Sequence, residues 1–247
     1  MTALEVGEER EIAPGVYISR RSLVKSLSTL LVAGSFGSEA HAQAVKLAEA
    51  SLSLEEFIKE GSLVANRLAS DTSRMGQGRY LLAIAALATR TAAIPVPVMR
   101  DSGQGETGGT HIGVNPGAEA FTILHWRLDP GARIRPHAHT YGNVVTLGLE
   151  GEALVSNYET IADPDYRSKR PFKIRRTRRQ RLRPGSVNLV NLEEDFIHGF
   201  EAGPDGARGL DITTRLAPRG PTPYLILRNE SGEPLMGEWS LDNPRTA

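Results

Sequence analysis

At 247 residues the chain suits one domain, or one domain with an appendage, and it can bury a sizeable core. Its hydrophobic content of 40% and charged content of 23% are ordinary for a globular protein, and a formal net charge of +0 provides no whole-molecule field drawing it to nucleic acid. The absence of cysteine excludes disulfides, thiolate metal sites and a cysteine nucleophile, and makes the chain indifferent to an oxidising compartment.

The first segment reads as an address. Residues 19–25, SRRSLVK, are followed by the weakly apolar SLSTLLVAGSFG, and Ala40 and Ala42 then make an A-x-A site. Arg20 and Arg21 in this setting resemble a twin-arginine export signal. Residues 1–42 are therefore expected to be removed, with a mature chain starting near Gln43 and a periplasmic location. The alternative is a basic, capped helix on a cytoplasmic protein. The apolar stretch is too short and too polar to span a bilayer, and no other segment is long and apolar enough to do so.

Residues 43–110 are predicted as a helical segment and a loop. Ser53 with Glu56 makes a capping box, and Leu54, Phe57, Ile58, Leu63, Val64 and Leu68 then recur at helical spacing. A second helix, over DTSRMGQGRYLLAIAALATR, is apolar nearly all round in its later half, which predicts burial. IPVPV at 94–98 ends helicity, because proline removes a donor and clashes with the preceding turn. Residues 100–109 are a loop by composition.

From residue 111 the texture is β. Short runs, AFTILHWRL, NVVTLGL, EALVSNYE, FKIRRTRRQRL, SVNLVNL, FIHGFE, GLDITTRL and PYLILRN, are separated by Gly, Pro, Asn and Asp. Eight or so short strands with turn signals predict an antiparallel barrel or jelly roll over residues 111–247. Helices first and strands after make the fold class α+β, mainly β.

Two of only six histidines stand one residue apart in RPHAHTYGNVV. In a strand, residues i and i+2 share a face, so His137 and His139 present two imidazoles about 7 Å apart along the backbone, near enough to chelate one metal ion. The bland alternative is a solvated strand pair. His198 follows in the apolar FIHGF; there it must satisfy two ring nitrogens, and binding a metal with one while donating from the other does so. Histidine suits iron, zinc, copper and nickel alike, so the ligand type does not name the metal. His111, at the loop exit, and His125, one strand before the turn, are not expected to be ligands. Tyr141 and Tyr158 could line a pocket, or pack with their hydroxyls satisfied.

These residues carry a resemblance. Pro130-Gly131, five residues and the HxH pair, then a strand ending in a glycine turn at Gly151, resemble the first motif of the cupins. RPGSVNLVNLEEDFIHGF resembles the second, with His198 as its histidine. The resemblance implies a cupin double-stranded β-helix (jelly roll) preceded by the N-terminal helical segment. Most cupins place a metal-binding Glu three or four residues after HxH; here Asn143 and Val144 stand near that place. The thiol dioxygenase branch lacks that Glu and holds iron(II) with three histidines. FTILHWRLDPGARIRPHAH is similar to the approach to HxH in cysteine dioxygenases. NVVTLGLEGEALVSNYE and FIHGFEAGPDGARGLDITTRL are similar to segments of plant cysteine oxidases and cysteamine dioxygenase, with Leu210-Asp211 as the Leu-Asp pair of the later strand. The likeness covers roughly residues 115–220. The chain has no cysteine for the thioether crosslink of some members, and no evident match for the family's carboxylate-binding arginine.

What the resemblance implies is a metal site of His137, His139 and His198, with Tyr141, Asn143 and Asp211 as the further active-site residues. Asn143 is expected to bond a substrate or a water at the metal. The expected cofactor is Fe(II), with Zn, Mn or Ni as alternatives, and the expected substrates are a small thiol and O2, giving a sulfinate. The other readings are a zinc or manganese cupin acting on a sugar or keto acid, and a non-enzymatic ligand-binding cupin. The basic run 166–185 is read as a solvated edge ribbon, since Lys and Arg discourage edge pairing, with attraction of an anionic substrate or surface as the alternative. A nucleic acid partner is not expected. Monomer and homodimer are both open.

Overall fold

A computed structural model describes residues 51–91, 94–102, 109–115, 119–161, 165, 167, 170–192, 196–217, 222–229 and 235–241, and the strand backbone of 11–13 and 16–17. The expected export signal, apart from β1 (Glu11–Ala13) and β2 (Val16–Tyr17), which form a separate antiparallel pair, lies outside the described residues.

Helix α1 (Leu54–Ser70) begins at the expected capping box. Ser53 Oγ accepts from the Glu56 N–H at 3.2 Å, and the Glu56 carboxylate accepts from the Ser53 N–H at 2.8 Å. Helix α2 (Arg74–Arg90) is capped by Ser73, whose hydroxyl accepts from the Gly76 N–H at 3.1 Å. The apolar second half of α2 is buried as its sequence requires, through Tyr80, Leu81, Ile84, Ala85 and Ala88.

The strands are β3 (Arg100–Asp101), β4 (Thr110–Asn115), β5 (Phe121–Leu128), β6 (Arg133–Ala138), β7 (Gly142–Thr160), β8 (Phe172–Leu182), β9 (Val187–Val190), β10 (Ile197–Arg215), β11 (Tyr224–Asn229) and β12 (Leu235–Ser240). They form one ten-stranded antiparallel sheet in the order β3-β4-β5-β10-β6-β11-β12-β8-β7-β9, and β10 also pairs with β7. That extra pairing folds the sheet on itself. Residues 207–215 of β10 lie between β5 and 142–151 of β7, while residues 197–201 lie between β6 and 154–158 of β7. One bent ribbon of two strands is thus shared by two leaves, which is the expected jelly roll. β4, β5 and β9 extend the first leaf, and β6 and β8 the second.

The ribbon corrects the expected element boundaries. NVVTLGL and EALVSNYE are one strand, and so are FIHGFE and GLDITTRL. The chain turns at Gly151 (φ +62) and Gly206 (φ +75), where a Cβ on Gly151 would lie 2.2 Å from the Gly206 carbonyl oxygen. The glycines bend paired strands there without ending them. β3, β4 and β12 add to the predicted runs, β3 within the 100–109 stretch expected as loop.

Three apolar layers follow from strand alternation. Phe121, Ile123, Val145, Leu147, Leu210 and Ile212 leave the first leaf outward and pack on Phe57, Leu68, Tyr80, Leu81 and Ile84 of the helices. Trp126, Leu128, Ile134, Val155, Leu182 and Phe200 fill the space between the leaves. Ala138, Tyr158 and Ile197 leave the second leaf outward and meet Leu225 and Trp239 of the β11–β12 hairpin. Each large side chain buried in these layers contributes about 1.5–3 kcal/mol.

Candidate metal centre

His137 lies one residue from the end of β6, and His139 just beyond it. The His139 N–H donates to the Phe196 carbonyl at 3.0 Å and the Ala138 N–H to the Pro223 carbonyl at 2.9 Å, so the extended course continues past the strand end. His198 stands on β10 directly opposite His137. Cross-strand partners share a face, so all three rings point between the leaves. Their centroids are 5.0, 4.8 and 4.8 Å apart, and one nitrogen from each ring lies within 4.8 Å of the others. Among the described residues no carboxylate joins this group.

The electrostatics favour neutral rings. Burial pushes His137 down to about 4, against the opposing Arg135 carbonyl bond, and holds His139 and His198 well below their ordinary value of 6.5, for these two with neighbouring imidazoles adding to the effect. Metal ligation requires this unprotonated state. His137 Nδ1 lies 3.1 Å from the Arg135 carbonyl oxygen, to which only an N–H can bond, leaving the lone pair on Nε2. His198 Nδ1 lies 3.3 Å from Asn188 Nδ2, and Gln180 Nε2 donates to Asn188 Oδ1 at 3.3 Å and to the Val187 carbonyl at 3.1 Å. With Asn188 Oδ1 held by Gln180, the Asn188 amine donates to His198 Nδ1; turning the Asn188 amide over would present its oxygen to an Nδ1–H and free Nε2 for a metal, at the loss of the Gln180 bond. His139 Nδ1 is buried without a hydrogen-bond partner. The donor set fits a divalent metal ion, and outer contacts hold the His137 and His198 rings.

The other expected site residues divide. Asp211 points between the leaves, accepts from Trp126 Nε1 at 3.3 Å, and has its carboxyl raised from 3.8 to about 6 by burial. It is linked to His198 through ring contacts, tilted from Trp126 to Phe200 at 5.3 Å and edge-to-face from Phe200 to His198 at 4.7 Å, and is not part of the histidine group. Asn143 faces the other way. It pairs with Thr214, whose hydroxyl bonds to the Tyr80 hydroxyl of α2, and it alternates in step with Val145 and Leu147 of the helix-facing layer. Neither end of its amide has a hydrogen-bond partner. The inward position belongs to Val144. Of the two neighbours expected at the place of the missing Glu, the pairing with β10 turns Val144 inward and Asn143 toward the helices. Tyr141 is a half-buried turn residue whose carbonyl accepts from the N–H groups of Leu216 and Ala217. Tyr158 packs outward under the β11–β12 hairpin. His125 is fully buried on the helix-facing side, away from the three-histidine group.

Sequence reasoning missed Asn188, Gln180 and Tyr224. Tyr224 stands opposite His137 across β6 and β11, with ring centroids 6.1 Å apart. Asn188 did carry a signal, as the polar residue at alternate spacing inside the apolar run SVNLV.

No protein-family model matches the chain, and no curated protein matches it. Among solved structures it is similar to KdgF from Halomonas sp., at 18% identity and a TM-score of 0.35, over 48% of this chain and 88% of that one. It is similar to an RmlC-like cupin from Shewanella frigidimarina, at 18% identity and a TM-score of 0.35, over 48% and 84% of the two chains. A recombinant oxalate oxidase in complex with glycolate aligns at 14% identity and a TM-score of 0.35, over 45% of this chain and 53% of that one.

Proposed function

We propose that His137, His139 and His198 bind one iron(II) ion and that the protein is a dioxygenase converting a small thiol to a sulfinate. The observation that carries this reading is the composition of the cluster: three neutral imidazoles and no carboxylate among the described residues. Neutral ligands leave a divalent ion its full charge, whereas a carboxylate would lower it by one unit, and the more electrophilic centre suits an anionic thiolate. The resemblance of the HxH and FIHGF segments to the thiol dioxygenases supports the same reading.

Iron bound there would supply the coordination sphere in which sulfur and O2 meet. The chain's part is proximity and exclusion of water. His137 is oriented by the Arg135 carbonyl and His198 by Asn188. Phe200 and Tyr224 wall the rings. Overall, RSH and O2 give RSO2H: both oxygen atoms end on sulfur, which supplies all four electrons.

The test is O2 uptake and sulfinate formation by iron(II)-loaded protein with cysteine, cysteamine and mercaptopropionate, alongside metal analysis of anaerobically purified protein. Uptake with one thiol, dependent on iron, is expected. Absence of thiol-dependent uptake across the panel overturns the reaction and leaves the zinc or manganese cupin reading. Absence of any bound metal leaves the ligand-binding one.

We propose also that residues 1–42 direct export, on the resemblance of SRRSLVK and the A-x-A site to a twin-arginine signal. Arg20→Lys with Arg21→Lys should retain the precursor in the cytoplasm; unchanged periplasmic levels overturn it.

A further inference from the structure

The second leaf has another cavity, on the face that turns away from the histidines. Strands β10, β6, β11, β12, β8 and β7 pair in a closed ring, and residues from all six line a space of about 460 Å³. That volume lies in the range of small-molecule sites, about 300–1,000 Å³. Gly199 and Ser156 border it and alternate with His198 and Asn157, so much of the lining lies on the other side of the sheet from the metal centre, while Ile134 and Phe200, whose ring contacts His198, border it as well.

Its chemistry is two-sided. Leu154, Tyr158, Leu227 and Leu235 supply apolar wall. The charged lining is Arg133, Arg176, Arg179 and Glu201. Glu201 is already neutralised by Arg133 at 2.9 Å. Arg176 and Arg179 stand opposite Tyr158 and Ser156, and among the described residues neither has a carboxylate partner. Other arginines of the same run do: Arg175 pairs with Glu159, and Arg181 and Arg183 both pair with Glu152. The unpaired guanidinium groups are therefore the ones bordering the cavity.

We infer that this cavity binds a small amphipathic carboxylate, its head group on Arg176 and Arg179 and its apolar body against Leu154, Leu227 and Leu235. Guanidinium forks match a carboxylate in geometry and charge. Two free guanidinium groups beside apolar wall suit a single anionic head with a hydrocarbon body, not a polyanion. The arginine head-group site shares no residue with the three histidines and stands whatever reaction occurs at the metal centre.

Calorimetric titration of the full-length protein with decanoate, decanol and heparin tests it. Decanoate should bind with a stoichiometry near one, and decanol about tenfold more weakly or worse. The Arg176→Gln, Arg179→Gln double variant should lose about tenfold or more in decanoate affinity, while Arg175→Gln, outside the cavity, should lose none. Ser156→Glu, which places a carboxylate opposite Arg179, should also weaken decanoate. Equal binding of decanol, an unaffected double variant, or heparin binding that depends as much on Arg175 as on Arg176 would each overturn the inference.

Discussion

His139 and His198 stand 59 residues apart in the chain, yet their Nε2 atoms lie 2.9 Å from each other. Two buried, unprotonated imidazoles facing nitrogen to nitrogen can share one N–H or one cation. With His137 completing the triangle, each ring is needed to hold a divalent ion. Alanine at position 137, 139 or 198 should each remove most bound metal, because two imidazoles hold such an ion poorly. His125→Ala should retain it, since that ring lies on the helix-facing layer. Metal content of the purified variants decides this; full occupancy in His198→Ala would sink the three-histidine site.

Asp211 gives a pH signature. Burial raises its carboxyl from 3.8 to about 6, so the folded state holds the proton more tightly than the unfolded state. Stability from this group is therefore greatest below the unfolded value and declines as pH rises between the two. By pH 7 the shift from 3.8 to about 6 corresponds to a penalty on the order of 3 kcal/mol. Asp211→Asn keeps an oxygen for Trp126 and removes the titration. Its melting temperature should exceed that of the wild type at pH 7–8, with the gap closing toward pH 4. Parallel pH profiles for the two proteins would contradict the assignment.

Asn143 is fully buried, and both ends of its amide lack partners. Each buried unsatisfied group costs about 1–3 kcal/mol. Asn143→Val should raise the urea midpoint and leave metal content unchanged, because the residue faces α2. A loss of metal would place it at the site after all.

Two glycines with similar backbones should respond differently. Gly151 (φ +62) has the Gly206 carbonyl oxygen 2.2 Å from where a Cβ would stand, whereas Gly131 (φ +70) has open space there. Gly131→Ala should cost only the left-handed backbone penalty, about 1–2 kcal/mol. Gly151→Ala must also part the ribbon's two backbones and should cost more than 4 kcal/mol. Equal unfolding midpoints for the two variants would show that the ribbon yields easily at its bend.

Much of this was legible in the sequence because the signals were local. Ser53 and Glu56 announce α1, and HxH with a late histidine in an apolar strand announces the cluster. Asn143 and Val144 are neighbours in a strand of period two, so which of them turns inward shows only once the partner strand is known. The ribbon was cut into four runs because Gly151 and Gly206 look like turns, and only the partner strand shows that pairing continues past them. Asn188 and Gln180 serve as supports through contacts with strands far away in sequence, which no local pattern encodes.

The shared ribbon has a kinetic consequence. β10 carries His198 near one end and Thr214, bonded to Tyr80 of α2, near the other. The two leaves share β7 and β10, so opening of the ribbon at one end is transmitted to the other. Amide protons of 143–147 and 154–158 should therefore exchange in one subglobal event with similar opening free energies. Loosening α2 would then be felt as faster escape of whatever His198 holds, although the helix packs outside the first leaf and the imidazole projects from the second.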